Sequence, residues 1–104
     1  KGGSARLAQL EPPAFEDNEV TFADLVARIR KTTAYLQTLK PEQIDGSEDR
    51  TVTWSTRKAT KSMQGMAYLL NHVLPNFYFH IATTYAILRH NGVEIGKGDY
   101  LGRS

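Results

Sequence analysis

The sequence predicts a mainly helical protein of the all-α class. Two long stretches, residues 22–39 and 64–91, repeat their apolar residues so that these fall on one face at about 100° per residue. A third stretch, residues 4–10, has the composition of the last turns of another helix. Strand-forming residues cluster only in residues 51–63, which predicts no more than a small β-hairpin.

The N-terminal helix stub is followed by two prolines. Pro12 and Pro13 lack the backbone N–H that a helix needs, and they restrict the residue before them, so the stub ends by Leu10. Residues 14–20 then form an acidic extended linker.

The first long helix has a recognisable start. A hydroxyl at Thr21 with Asp24 three residues later approximates a capping box, in which side chains satisfy the free N–H groups of the first turn. Pro41 ends the helix near Leu39. Its inward stripe is predicted to contain Phe22, Leu25, Val26, Ile29, Thr33 and Leu36.

The second long helix is interrupted by a proline. Pro75 removes one backbone hydrogen bond and is predicted to bend the helix near Asn71 and His72. Gly92 tolerates the left-handed conformation that ends many helices, so the helix stops at Asn91. Its inward stripe is predicted to contain Met66, Leu69, Leu70, Val73, Phe77, Ile81, Thr84, Ile87 and Leu88, with His80 inside the stripe, Asn76 on its flank and His72 beyond it.

Most of the chain resembles one known family. The segment LPNFYFHIATTYAILRHNGVEIGKGDYLG is similar to the C-terminal signature of an uncharacterised bacterial domain-of-unknown-function family in the DinB/YfiT-like superfamily, and EPPAFEDNEVTFADLVARI and YLLNHVLPN also resemble it. The resemblance implies a DinB-like four-helix bundle. Family members are longer, so it also implies that residues 1–104 are a single domain forming the C-terminal portion of such a bundle, with two long helices and the helix stub.

A metal site is not expected in this chain. The superfamily often binds a divalent metal through two histidines at i and i+4 on its last core helix, together with a histidine from an earlier helix. The resemblance places those two positions at Asn76 and His80, and only the second is a histidine here. We therefore expect no cofactor, and His80 is predicted to be a hydrogen-bonded core residue.

The sequence contains one candidate pocket and no catalytic motif. Aromatic side chains on a kinked helix could line an apolar pocket with a few polar groups, although aromatic residues at helical spacing are more often ordinary core. No serine has the context of a nucleophile, and the carboxylates do not converge. The candidate pocket residues are Tyr68, His72, Asn76, Phe77 and His80.

Composition limits the possible partners. The net charge is +2 with scattered basic residues, which gives little support to nucleic-acid binding, and Arg50, Arg57, Lys58 and Lys61 form the densest basic patch. The chain has no cysteine and no apolar run of the roughly 20 residues that cross a bilayer, so we expect a cytoplasmic protein without membrane contact.

Two functional interpretations follow. The first is a non-catalytic helical module that assembles as a homodimer or with the missing N-terminal segment, and that holds a small ligand. The alternative, suggested by the superfamily resemblance alone, is a member of a metal-dependent thiol-transferase or hydrolase group that has lost its metal site.

Overall fold

Helices dominate the computed structural model, which describes residues 1–103, but the fold is not all-α. About 54% of the chain is helical, and one two-stranded antiparallel sheet accompanies the helices. The elements in chain order are α1 Gly2–Leu7, α2 Phe22–Gln37, α3 Pro41–Ile44, β1 Thr51–Ser55, β2 Thr60–Gln64, α4 Gly65–Tyr68, a π-helical turn Leu69–Val73, α5 Leu74–His90 and α6 Lys97–Tyr100.

The prediction of an all-α four-helix bundle is therefore wrong for the described chain. Only α2, with 16 residues, and α5, with 17 residues, are long helices, and the other four have six residues or fewer. The hairpin that the sequence allowed is present, because the consecutive β-branched and aromatic residues of β1 favour a strand.

The contacts of the chain group it into two compact units. The first contains Lys1–Leu69, and the second begins at Leu70. Each unit is described separately below, and the assignment of residues 1–104 to a single domain remains a prediction.

The hairpin supplies much of the core of the first unit. β1 and β2 pair in an antiparallel register that sets Val52 opposite Met63 and Trp54 opposite Lys61. The period of two along β1 buries Val52 and Trp54 and exposes the residues between them. The other buried apolar residues of the first unit are Ala5, Leu7, Ala8 and Tyr68.

A close approach of two backbone segments joins the hairpin to the helix that follows it. Gly65, at the start of α4, lies against the carbonyl of the buried Ser47, where a side chain would overlap that carbonyl. The backbone N–H of Gly65 donates to the carbonyl of Arg50 at 2.8 Å. The Arg50 guanidinium in turn donates to the carbonyls of Leu7 at 3.2 Å and Gln43 at 2.9 Å, which connects α1 and α3.

The predicted capping box of α2 is confirmed. Thr21 accepts the backbone N–H of Asp24 at 3.1 Å, and the Asp24 carboxylate accepts the backbone N–H of Thr21 at 2.9 Å. The backbone N–H groups of Thr21 and Val20 both donate to the Asp24 carboxylate and hold the pKa of Asp24 below its ordinary value. The helix ends at Gln37, close to the predicted end.

Charged and aromatic contacts attach the linker to α2. The ammonium groups of Lys1 and Lys31 each lie 4.1 Å from the centre of the Phe15 ring. Arg28 donates to the Glu19 carboxylate at 2.7 Å, and this hydrogen bond lowers the pKa of Glu19. α2 itself contributes no buried residue.

In the second unit, the predicted end of the long helix is confirmed. Helix α5 ends at His90, and Gly92 follows with a left-handed φ of 89°. The tail then forms α6, where the Tyr100 ring meets the edge of Tyr85 with centroids 5.9 Å apart.

The stripes that were predicted to face a core are exposed in both long helices. On α2, Val26 and Ile29 are 44% and 64% exposed, and on α5, Phe77 and Leu88 are 56% and 43% exposed. Neither helix contains a buried residue. Amphipathic patterning is therefore present without the packing that normally accompanies it.

We expect Gly65→Ala to destabilise the chain by at least about 1–3 kcal/mol, because the added methyl group overlaps the Ser47 carbonyl. Urea unfolding followed by Trp54 fluorescence measures the change. Gly96→Ala is the matched control, since nothing lies within 4 Å of a Cβ there, and we expect it to cost less than about 1 kcal/mol. Equal unfolding midpoints for the two variants would contradict this account.

We also expect stability to fall in acid through the α2 cap. Asp24 and Glu19 have lowered pKa values in the folded chain, so their contribution is present above the unfolded pKa of about 4 and is lost as the pH falls through the folded pKa. Thermal unfolding followed by circular dichroism from about pH 5 to pH 2 measures this loss. Asp24→Asn should make the thermal stability depend less on pH in this range. Asp49→Asn is the control, because it removes the same charge without touching the cap.

Candidate functional site

The five predicted pocket residues divide between the two units. Tyr68 belongs to the first unit, and His72, Asn76, Phe77 and His80 belong to the second. These four lie within about two turns of one helical segment that begins in the π-helical turn and continues into α5.

A π-helical turn lies where Pro75 was predicted to bend the helix. It covers Asn71 and His72, directly before α5. The side-chain amide of Asn76 donates to the His72 carbonyl at 2.7 Å and lies 3.5 Å from the ring nitrogen Nδ1 of His72. Since π-helical turns often occur at functional sites, this turn makes His72 and Asn76 candidate functional residues.

His80 and Phe77 are exposed in the second unit. The His80 ring meets the edge of Phe79 with centroids 5.3 Å apart, and the His80 carbonyl accepts the Thr84 hydroxyl at 2.7 Å. Phe77 meets Tyr78 in a similar edge contact, with centroids 5.5 Å apart. His80 was expected to lie in the core, but it is exposed. The apolar residues of its stripe are exposed as well, so no core forms around it.

No metal centre is assembled in the part of the chain that the structure describes. Residues 1–103 contain no group of three or more histidine, cysteine or acidic side chains placed to hold a metal ion. At the two positions that correspond to the superfamily ligands, the amide nitrogen of Asn76 is used by the His72 carbonyl, which leaves His80 as the one imidazole of that pair.

Tyr68 is a core residue of the first unit. It is 0% exposed, its ring lies 4.9 Å from that of Trp54, and its hydroxyl accepts a hydrogen bond from Arg6 at 3.3 Å. Its partner Arg6 is 62 positions away in sequence, so local patterning could not have distinguished this core role from a pocket-lining role.

A groove in the first unit was not anticipated from the sequence. It has a volume of about 560 Å³ and lies between strand β1 and the segment after α1. Gln9 takes a left-handed φ of 59° and turns the chain at the end of α1. The groove residues are Arg6, Gln9, Leu10, Glu11 and Pro12 on one side and Thr51, Val52, Thr53, Trp54 and Ser55 on the other.

The predicted hairpin was the sequence feature that could have indicated this groove. A sheet of two strands leaves one edge of each strand without a partner strand, and β1 is bordered by β2 on one side only. The sequence identified the strand but not what lay beside its other edge.

Two further sequence features have a structural explanation. Arg50, counted in the basic patch, is engaged with the carbonyls of Leu7 and Gln43, so it is not part of a free basic surface. No helix among residues 1–103 combines the length and the apolar character needed to span a bilayer.

The geometry defines a mainly helical protein with a small hairpin. Comparison with known proteins agrees with that class. The chain belongs to the family described as Domain of unknown function (DUF1993), whose model matches residues 1–101. The sequence resemblance to an uncharacterised DinB-like family is thereby confirmed.

A solved structure supports the same assignment. The crystal structure of a DinB family member protein from Shewanella denitrificans is 42% identical to this chain and superposes with a TM-score of 0.83. The match covers 97% of this chain and 57% of that one, so the chain spans little more than half the length of its structural relative. No curated protein matches the chain.

We expect Tyr68→Phe to lower the free energy of unfolding by about 1 kcal/mol, because it removes the acceptor for Arg6 in a fully buried position. Urea unfolding followed by Trp54 fluorescence reports on the neighbouring ring. Tyr85→Phe is the control, because it removes a hydroxyl that accepts from Arg89 on an exposed helix surface, and its effect should be near zero. Equal decreases in the free energy of unfolding for the two variants would contradict a core role for the Tyr68 hydroxyl.

Proposed function

We propose that this chain is a non-catalytic helical module that assembles with a second copy of itself through the apolar faces of α2 and α5. One observation supports the proposal above all others. Both long helices carry an amphipathic stripe, and neither has a buried residue.

The exposed apolar surface is too continuous to be incidental. Phe77, Ile81 and Leu88 lie within about 40° of one another around α5 and are each at least 40% exposed. Single exposed apolar residues are common, whereas contiguous exposed patches mark interaction sites or aggregation-prone surfaces. Covering both stripes would remove this surface from water at roughly 25 cal/mol per Å².

The alternative cover is the remainder of the family domain. The structural relative has 43% of its length outside the match, and such a segment could occupy the same faces. If that segment is the cover, the isolated chain should have the monomer mass. If a second copy is the cover, it should have the dimer mass.

A small ligand is part of the proposal. Once α5 is covered, His72, Asn76 and His80 would supply polar groups beside the Phe77 ring, which is the composition typical of ligand pockets. Tyr68 is not required, because it serves the core of the first unit. We place the protein in the cytoplasm because its 104 residues include no cysteine.

A metal-dependent ancestry is the second candidate. It is favoured by the DinB-family relative and by the retained His80 at one superfamily ligand position. Metal analysis of the purified chain shows whether a metal site survives, since both candidates predict a chain without metal once that site is lost. Stoichiometric zinc or nickel that is lost in His80→Gln would favour a surviving metal site over a non-catalytic module.

Assembly is tested by light scattering coupled to size exclusion. We expect the chain to elute at about twice its 11.7 kDa mass at micromolar concentration. Phe77→Ser combined with Ile81→Ser should return it to the monomer mass, because the two substitutions place polar groups on the apolar face.

The control lies on the same helix. Phe79 is 65% exposed but about 200° around α5 from Phe77, so Phe79→Ser makes the same chemical change away from the face and should preserve the dimer. A sharply melting wild-type monomer of 11.7 kDa would show that the stripes do not need a second copy.

A further inference from the structure

The open edge of β1 carries a regular array of backbone hydrogen-bonding groups. Thr56 donates its backbone N–H to Ala59 at 2.8 Å, and Gly65 donates to Arg50 at 2.8 Å. Hydrogen-bonded pairs alternate along an antiparallel ladder, so Val52 and Trp54 are the β1 residues whose backbone groups face β2.

The backbone groups of the intervening residues therefore face away from β2. These residues are Thr51, Thr53 and Ser55, all of which are exposed and line the groove. The hydrogen bond between the Thr53 and Ser62 hydroxyls, at 2.8 Å, fits this assignment, because side chains approach most closely at non-hydrogen-bonded pairs.

The β1 edge also lacks the features that protect an exposed strand. Proteins commonly place lysine, proline or a bulge on such edges to prevent pairing with another chain. β1 consists of Thr51, Val52, Thr53, Trp54 and Ser55, with no charge and no proline, whereas β2 carries Lys61. The unprotected edge is the one that borders the groove.

The walls of the groove favour an extended peptide over a second copy of the chain as its occupant. The segment with Leu10 and Pro12 lines the groove together with β1, so it forms a wall of the space beside the β1 edge. In a symmetric pairing of two copies, each β1 would bring its own Leu10–Pro12 wall into the same space. An extended peptide requires only the edge itself.

We propose that the groove beside β1 binds an extended peptide as a third strand, through the outward backbone groups of Thr51, Thr53 and Ser55. This mode of recognition uses main-chain hydrogen bonds for affinity and alternate side chains for selectivity. The five-residue edge is about 17 Å long and so accommodates a peptide of about five residues. The site lies in the first unit and is independent of the assembly proposed above for α2 and α5.

The test uses the whole chain, labelled with nitrogen-15, and the synthetic peptide acetyl-Val-Thr-Val-Thr-Val-amide. We expect saturable shifts and slowed hydrogen exchange at the amides of Thr51, Thr53 and Ser55. The same peptide N-methylated at alternate residues should bind at least about tenfold more weakly, because it cannot complete the ladder.

A matched pair of variants tests the edge itself. Thr53→Pro removes an outward N–H and leaves the bonds to β2 intact, so it should weaken binding at least about tenfold. Ser62→Pro makes the same change at the paired position on the other edge and also breaks the Thr53 hydroxyl contact, yet it should alter binding by less than about twofold. Unchanged Trp54 fluorescence confirms an intact hairpin in both variants.

Several results would overturn the proposal. These are an absence of saturable shifts, equal binding of the N-methylated peptide, or shifts without protection at the three outward amides. A dimer without peptide that Thr53→Pro abolishes would identify a second copy as the occupant. A dimer that depends instead on Phe77 and Ile81 concerns the other surface and leaves the peptide results to decide this one.

Discussion

The close approach of Ser47 to Gly65 is the constraint on which the first unit depends. It places the loop before β1 directly against the start of α4, and the Gly65 N–H closes the open end of the hairpin on Arg50. Arg50 is thereby held where its guanidinium reaches α1 and α3. The same closure brings Tyr68, one turn further along, against Trp54, so the small core is assembled around one backbone contact.

The long helices are held mainly by local interactions. α2 has a complete capping box and a linker attached through Phe15, and α5 has a glycine just after its end, but neither buries a side chain. Helix stability in proteins comes chiefly from packing of the amphipathic face, and this contribution is small for both helices here. Local capping therefore explains where these helices begin and end, and the proposed assembly would add the packing that their apolar faces lack.

Features set by neighbouring residues were predictable from the sequence, and features set by distant contacts were not. The Thr21 capping box, the hairpin and the disturbance before Pro75 each depend on residues a few positions apart. The burial of Tyr68 depends on Arg6, and the structural role of Arg50 depends on Leu7, which lies 43 positions away. The family was recognisable from residue strings, but the four-helix bundle that the resemblance implied was wrong, because only α2 and α5 are long helices among the described residues.

The apolar stripes of the long helices and the open edge of β1 would suit different kinds of partner. The stripes of α2 and α5 are apolar and broad, so the hydrophobic effect rewards any large complementary surface and specifies its identity weakly. The edge of β1 is narrow and presents donors and acceptors at fixed intervals, so it discriminates by backbone conformation and not by area. Covering the stripes would stabilise the fold whether or not a peptide is bound, whereas pairing at β1 adds hydrogen bonds to a hairpin that the Gly65 contact already holds in place. The proposed assembly and the proposed peptide recognition can therefore be tested separately by substitution, because they would use different atoms and different forces.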